Sequence, residues 1–406
     1  MGTLEASDSA LRPATGAKPI RVLVVDDSAV VRQLLARELS RDPQIEVIGT
    51  AADAYIAREK ILRLHPDVLT LDIEMPRMDG VTFLRKLMTH HPLRTVVLSS
   101  LAEPGAQAAL DALACGAIEV LAKPHGDLPG GLALQMEHLI EVIKMAAQAK
   151  LPEIRSAGRL RRSGRKTTRR PAPATSQPSG SNRTGRKLPA AEEPAAPRPS
   201  GPCVLVAIGA STGGTEALRR VLSRLTADTP PVVAVIHMPD GFTQRFAERL
   251  NDLCTVEVRE AVDGGRLRPG LVLLARGGQH MVVSRETNGL VVHLRSGPPV
   301  NRHRPSIDVL LHSVAAAAGA NALGVILTGM GADGADGLLA LHRGGAPTLV
   351  QDEATSIVFG MPRAAIERGA AGRILPLDSI GDAIVAWSRS RARGRDGAAA
   401  ASEPLT

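Results

Sequence analysis

The sequence predicts an α/β protein built from two units in tandem: a five-stranded parallel sheet, then a doubly wound α/β domain with an antiparallel hairpin. Three observations predict this. Short β-branched runs alternate with amphipathic stretches over residues 20–147, and the same alternation resumes after residue 202. The segment between them has almost no large apolar side chains. The 406 residues suffice for two separate cores.

In the first unit, residues 20–25, 45–50, 67–71, 95–99 and 118–122 read as strands. Helical periodicity falls near 28–40, 53–64, 80–89, 105–115 and 131–148. Five repeats of a strand and a helix make a parallel sheet covered on both faces. This domain is expected over 19–148, after a disordered leader at 1–18.

Residues 149–201 read as a linker, because runs such as R-L-R-R-S-G-R-K-T-T-R-R and P-A-P-A-T-S-Q-P-S-G cannot offset the entropy of ordering. Beyond it, 204–209, 231–237, 270–275, 323–328 and 347–352 read as strands, and 281–294 as a hairpin turning at Asn288-Gly289. Helices are expected near 214–225, 242–251, 305–318 and 334–344. The second domain is expected over 202–392, with a disordered tail at 393–406.

Composition excludes several function classes. No run approaches the roughly 18 apolar residues that cross a bilayer, and Met1 to Lys18 lacks the apolar core of a secretory signal. Cys115, Cys203 and Cys254 are scattered, which fits a reducing cytoplasm better than a disulfide framework. The net charge of +8 suggests nucleic acid until it is located: residues 151–200 hold twelve Lys and Arg against three Asp and Glu. Their net of +9 leaves the remainder at −1. With 1% aromatic residues there is no stacking platform for single strands either.

Two sets of residues carry chemistry. Asp26 and Asp27 end the first strand, and Asp72 ends the third. Carboxyl ends of strands in such a sheet converge on one edge, where three carboxylates repel one another unless a hard cation bridges them. Mg²⁺, with its preference for oxygen ligands and phosphate, suits the place. Ser99 ends the fourth strand and Lys123-Pro124 the fifth. Over residues 20–140 this constellation resembles the response-regulator receiver family, and so implies a flavodoxin-like receiver. The resemblance places the phosphoacceptor on Asp72 in L-D-I-E-M-P-R-M-D-G, the metal ligands on Asp26, Asp27 and Asp72, the switch hydroxyl on Ser99 rather than Ser100, and the conserved-type lysine on Lys123. It implies phosphoryl transfer from a partner histidine kinase.

In the second domain Gly209-Ala210-Ser211-Thr212-Gly213 has G-x-S-x-G spacing where a strand runs into a helix, lifting the Ser211 hydroxyl above the sheet. Such a turn can instead cradle a dinucleotide phosphate. A short-chain dehydrogenase would need a nearby tyrosine, whereas the single Tyr55 lies in the other domain, and a P-loop would need G-K-[ST]. A nucleophilic serine needs a base and an orienting acid. His237 and Asp333 both follow strands, on the same edge as Ser211, with His280 and His303 as other candidates for the base.

The segments G-A-S-T-G-G, H-M-P-D-G-F-T, R-P-S-I-D-V-L, I-L-T-G-M-G-A-D-G and Q-D-E-A-T-S-I-V-F-G-M-P resemble the catalytic domain of the chemotaxis protein-glutamate methylesterase/glutamine deamidase family. That resemblance spans 203–380, and the receiver–linker–esterase order is also the family's. It places nucleophile, base and acid on Ser211, His237 and Asp333, and the oxyanion donors near Thr212 and Met330. It implies a hydrolase in sensory adaptation that acts on methyl-accepting chemotaxis receptors and is restrained by its receiver until Asp72 is phosphorylated. The esterase itself is expected to need no cofactor, to work as a cytoplasmic monomer without nucleic acid or membrane insertion, and to be recruited to receptor arrays. Ile236, where the family commonly has Gln, and Arg276, in A-R-G-G-Q-H, depart from its pattern. They leave open a binding module without catalysis. A DNA-binding regulator lacks its helix-turn-helix.

Overall fold

The computed structural model describes residues 18–99, 103–124, 131–151, 204–238 and 240–400, without the side chains of 103–105 and 392–400. Most of the expected leader and linker, Ser100, Cys203 and residues 401–406 lie outside the described residues.

The first unit runs β1 (Ile20–Val25), α1 (Ala29–Leu39), β2 (Ile45–Ala51), α2 (Ala54–Leu64), β3 (Val68–Asp72), α3 (Gly80–His90), β4 (Arg94–Ser99), α4 (Glu103–Ala114), β5 (Glu119–Ala122) and α5 (Gly131–Gln148). Its strands are parallel, in the order β2-β1-β3-β4-β5. Helices cover both faces, so strands such as β3 are apolar and buried along most of their length. Side-chain caps start the helices: Ser28 accepts from the Val31 amide, Asp53 from Tyr55 and Ile56, and Asp79 from Thr82.

The second unit contains β6 (Leu205–Ala210), α6 (Gly214–Leu222), β7 (Val232–Ile236), α7 (Phe242–Leu253), β8 (Glu257–Glu260), β9 (Gly265–Arg266), β10 (Leu271–Leu274), β11 (His280–Glu286), β12 (Gly289–Arg295), α8 (Ile307–Ala318), β13 (Ala322–Ile326), α9 (Ala335–Arg343), β14 (Thr348–Gln351), α10 (Met361–Glu367), β15 (Arg373–Leu375) and α11 (Leu377–Ala400). Seven parallel strands lie in the order β15-β14-β13-β6-β7-β10-β8, and β11-β12-β9 form a separate antiparallel sheet. From β6 the chain builds outward to β7 on one side and β13 on the other, so a topological switch point lies at its carboxyl end.

Sequence and structure differ in several places, among them helices α10 and α11, which the sequence reading did not expect. The β11–β12 hairpin turns at Thr287-Asn288, one residue before the expected pair, because Gly289 already pairs with Glu286. Strands β8, β9 and β15 have two to four residues each, too short to show a period. Helix α11 continues past the expected domain end at 392, through a stretch rich in Arg and Ala, which favour helix.

The two units pack together. Leu110 of α4 is buried in the cluster formed by α6, α7 and their strands, while Phe242 of α7 is buried in the first unit's core. Polar bridges flank this contact. Arg249 pairs with Asp111 at 2.6 Å and Arg302 with Glu141 at 2.7 Å, and the Lys150 amide donates to the Ile357 carbonyl.

Candidate active site and acidic pocket

Ser211, His237 and Asp333 follow β6, β7 and β13, three adjacent strands at the switch point. Their side chains meet: Ser211 Oγ lies 3.1 Å from His237 Nδ1, and His237 Nε2 lies 2.8 Å from Asp333 Oδ2. A carboxylate only accepts, so Nε2 carries the proton and Nδ1 is left as the acceptor for the serine hydroxyl. Asp333 is 2% exposed. Burial alone would push its carboxyl up, but His237, the Asn301 amide and the Ile307 N–H hold it well below the usual carboxylate range.

The support of Asp333 was not legible in the sequence. Asp333 sits at the N-terminus of α8, accepting the amides of Ile307 at 2.7 Å and Asp308 at 3.2 Å, where the helix dipole favours an anion. The α8 cap Ser306 donates to Oδ1 at 2.8 Å, and Asn301 Nδ2 donates at 2.9 Å. Asn301 also donates to buried Asp308, which accepts the Gly337 amide in turn. These residues lie some 30 positions before Asp333, and the only signal for them was the S-x-D start of a helix.

Close backbone approach makes the rest of the site. A Cβ on Gly329 would come within 2.8 Å of Ser211 Cβ, so the loop after β13 can pass beside the nucleophile only with glycine there. Thr328 fixes that loop by donating to the Thr212 carbonyl, while Gln351 accepts the Thr328 amide. Met330 follows and lines the cleft with Ser211.

Of the other candidate bases, His280 is buried and contacts the Pro298 carbonyl and the Ser306 amide. His303 stacks on His237, ring centroids 3.6 Å apart; burial, then His237, push it down to about 4. The hydrogen bond to Ser211 comes from His237, not from either of these. Ile236 is buried in the apolar layer beneath α6, and Arg276 is exposed, 3.8 Å from Asp240.

The acidic pocket forms at the carboxyl edge of the first sheet. Carboxylate oxygens of Asp26, Asp27 and Asp72 lie within 4.8 Å of one another. Lys123 reaches Asp72 at 2.8 Å and Asp26 at 3.3 Å, and its amide donates to the carbonyl of buried Ser99. Burial pushes Asp72 up to about 6, against the pull of Lys123. Three carboxylates against one ammonium leave an excess of negative charge that a divalent, oxygen-loving ion balances, so the donor set fits Mg²⁺.

Between the units lies a cleft of about 980 Å³ lined by Ser211, His237, Asp333, Met330, His138 and Glu141, among others. Thr212, beside the nucleophile, donates its hydroxyl to Glu119 of β5 at 2.6 Å. Burial pushes the Glu119 carboxyl up to about 7, against the Thr212 hydrogen bond.

Fold and geometry thus define a class: a receiver-like domain closing over a doubly wound domain that carries a Ser-His-Asp arrangement. Comparison with known proteins agrees. The CheB methylesterase family model matches residues 206–384 and the response regulator receiver domain model residues 22–128. A protein-glutamate methylesterase/protein-glutamine glutaminase of Syntrophotalea carbinolica is 48% identical over 91% of this chain and 97% of its own. One from Anaeromyxobacter dehalogenans is 51% identical, over 91% and 96%. The crystal structure of the Thermotoga maritima CheB methylesterase catalytic domain is 35% identical, covering 45% of this chain and 98% of its own, with a TM-score of 0.45. The chain belongs to the protein-glutamate methylesterase/protein-glutamine glutaminase family.

Proposed function

We propose that this protein hydrolyses γ-methyl esters of glutamate, and deamidates glutamines, on methyl-accepting chemotaxis receptors, under control of phosphorylation at Asp72. The observation that carries the reading is the hydrogen-bonded Ser211–His237–Asp333 series opening into the interdomain cleft. Ser211 Oγ attacks the side-chain carbonyl while His237 Nδ1 takes its proton and Asp333 holds the imidazole and balances its charge. The amides of Thr212 and Met330 stabilise the oxyanion. The C–O bond breaks, methanol leaves with the proton from Nδ1, and water repeats the sequence to free the glutamate and Ser211. From glutamine the leaving group is ammonia.

Asp26, Asp27 and Asp72 would hold Mg²⁺, which supplies positive charge to the phosphoryl group in transfer. Asp72 accepts that group from the phosphohistidine of a chemotaxis-type kinase. Lys123 pairs with a phosphoryl oxygen and Ser99 turns toward another. In the unphosphorylated state the receiver covers the cleft, and phosphorylation weakens that contact.

The test is methanol release from methylated receptor membranes. Release is expected to fall by about 10⁶-fold in kcat for Ser211→Ala, and to rise with a small phosphodonor and Mg²⁺ in wild type but not in Asp72→Asn. Substantial release by Ser211→Ala would sink the assignment. Among the described residues no helix is long and apolar enough to cross a membrane.

A further inference from the structure

Arg302 stands where glycine would be easier. Val300 and His303 exchange both backbone hydrogen bonds, at 3.0 and 2.9 Å, closing a two-residue turn over Asn301 and Arg302. Both central residues have positive φ, 52° and 66°. This is the mirror-image hairpin turn, whose second position favours glycine; asparagine tolerates the first. A long cationic side chain is therefore held against its backbone preference.

The turn is fixed to the reacting groups on both sides. Asn301 donates to Asp333, and the His303 ring lies flat on His237. Arg302 lines the same cleft as Ser211, and its side chain is 81% exposed apart from one partner, receiver Glu141, at 2.7 Å. Ion pairs this exposed contribute little to holding domains together. The contact sets a carboxylate beside Arg302 in the same cleft as Ser211. Residues held in strained backbone next to reacting groups are a common mark of ligand clamps.

The reaction supplies such a ligand. Each turnover leaves a glutamate carboxylate, so a segment with several esterified or amidated side chains becomes more acidic as it is processed. We propose that Arg302 binds a carboxylate of the substrate segment close to the ester under attack, and that Glu141 occupies this position while the receiver covers the cleft. The site then prefers esters whose neighbours are already glutamates. This inference rests on the esterase reading above and names part of its substrate.

Two helical peptides test it, each with one glutamyl γ-methyl ester, flanked in one by glutamates and in its twin by alanines. They are assayed with the full chain in Mg²⁺ and a small phosphodonor. Wild type is expected to favour the acidic peptide by about three- to fivefold in kcat/KM, mostly through KM, as one largely exposed ion pair provides. Arg302→Gln is expected to bring the ratio near one and Arg302→Lys to restore part of it. Arg302→Gly relieves the turn and is expected to lose the ratio as fully as Arg302→Gln, so a folding defect cannot imitate the result. A ratio near one in wild type, or an unchanged ratio in Arg302→Gln and Arg302→Gly, overturns the proposal. Failure of wild type on both peptides overturns the esterase reading, and this inference with it.

Discussion

At the scale of residues, the site is governed by how many donors converge on one carboxylate. Asp333 accepts from His237, Ser306, Asn301, Ile307 and Asp308, so it stays ionised and the imidazole keeps its Nε2 proton. Asp333→Asn can present an N–H to His237 Nε2, favouring the tautomer whose Nδ1 faces Ser211 with a proton. A fall in kcat of about 10⁴-fold is expected, as for the equivalent change in another Ser-His-Asp enzyme. The measurement is single-turnover acylation with an ester substrate, and a loss below tenfold would contradict the assigned tautomer. Ser211 and His237 were legible because each closes an apolar run, and Asp333 because it lies in the loop just past one. Asn301 and Ser306 were not, since their side chains act across the fold on a residue distant in the chain. His303 was legible as a histidine near the site, but its stacking on His237 depends on a turn whose backbone no spacing reveals.

At the scale of elements, β5 joins the two sites. Glu119 begins the strand and meets Thr212; Lys123 follows its end and meets Asp72. In the packed arrangement the Glu119 carboxyl is pushed up to about 7, from an ordinary value of 4.5. A carboxyl raised in this way makes its full contribution to packing below the ordinary value and loses it as pH rises through about 7. Basal activity of the unphosphorylated chain should therefore climb over that window more steeply than the activity of the phosphorylated chain. Glu119→Gln, neutral throughout, should remove the difference, as parallel pH profiles of methanol release would show. Coincident profiles in wild type would remove Glu119 from control. The long buried strands were legible from their β-branched runs, as were the helices between them. The short edge strands β8, β9 and β15 were not, because pairing with a neighbour defines them more than any pattern of their own.

At the scale of the whole molecule, two compact units share one boundary, and polar pairs tune it. Arg249 and Asp111 are each about one-third exposed or more, so their pairing is worth about 0.5 kcal/mol and shifts the open population about twofold. Arg249→Asp should raise basal hydrolysis by somewhat more, since it also sets two like charges against each other. Adding Asp111→Arg should bring it back, a double-mutant cycle in basal methanol release. Additive effects would show that the pair is not coupled. The receiver's own carboxylates, Glu119 and Glu141, line the cleft that holds Ser211. Occupancy there must therefore act in both directions. If phosphoryl transfer to Asp72 opens the cleft to a receptor segment, then a receptor segment lodged in the cleft makes Asp72 easier to phosphorylate by the same free energy. Methylated receptor is then an effector of the receiver as well as its substrate, and a receptor segment that still carries an ester beside glutamates draws the phosphoryl group to the enzyme that cleaves it.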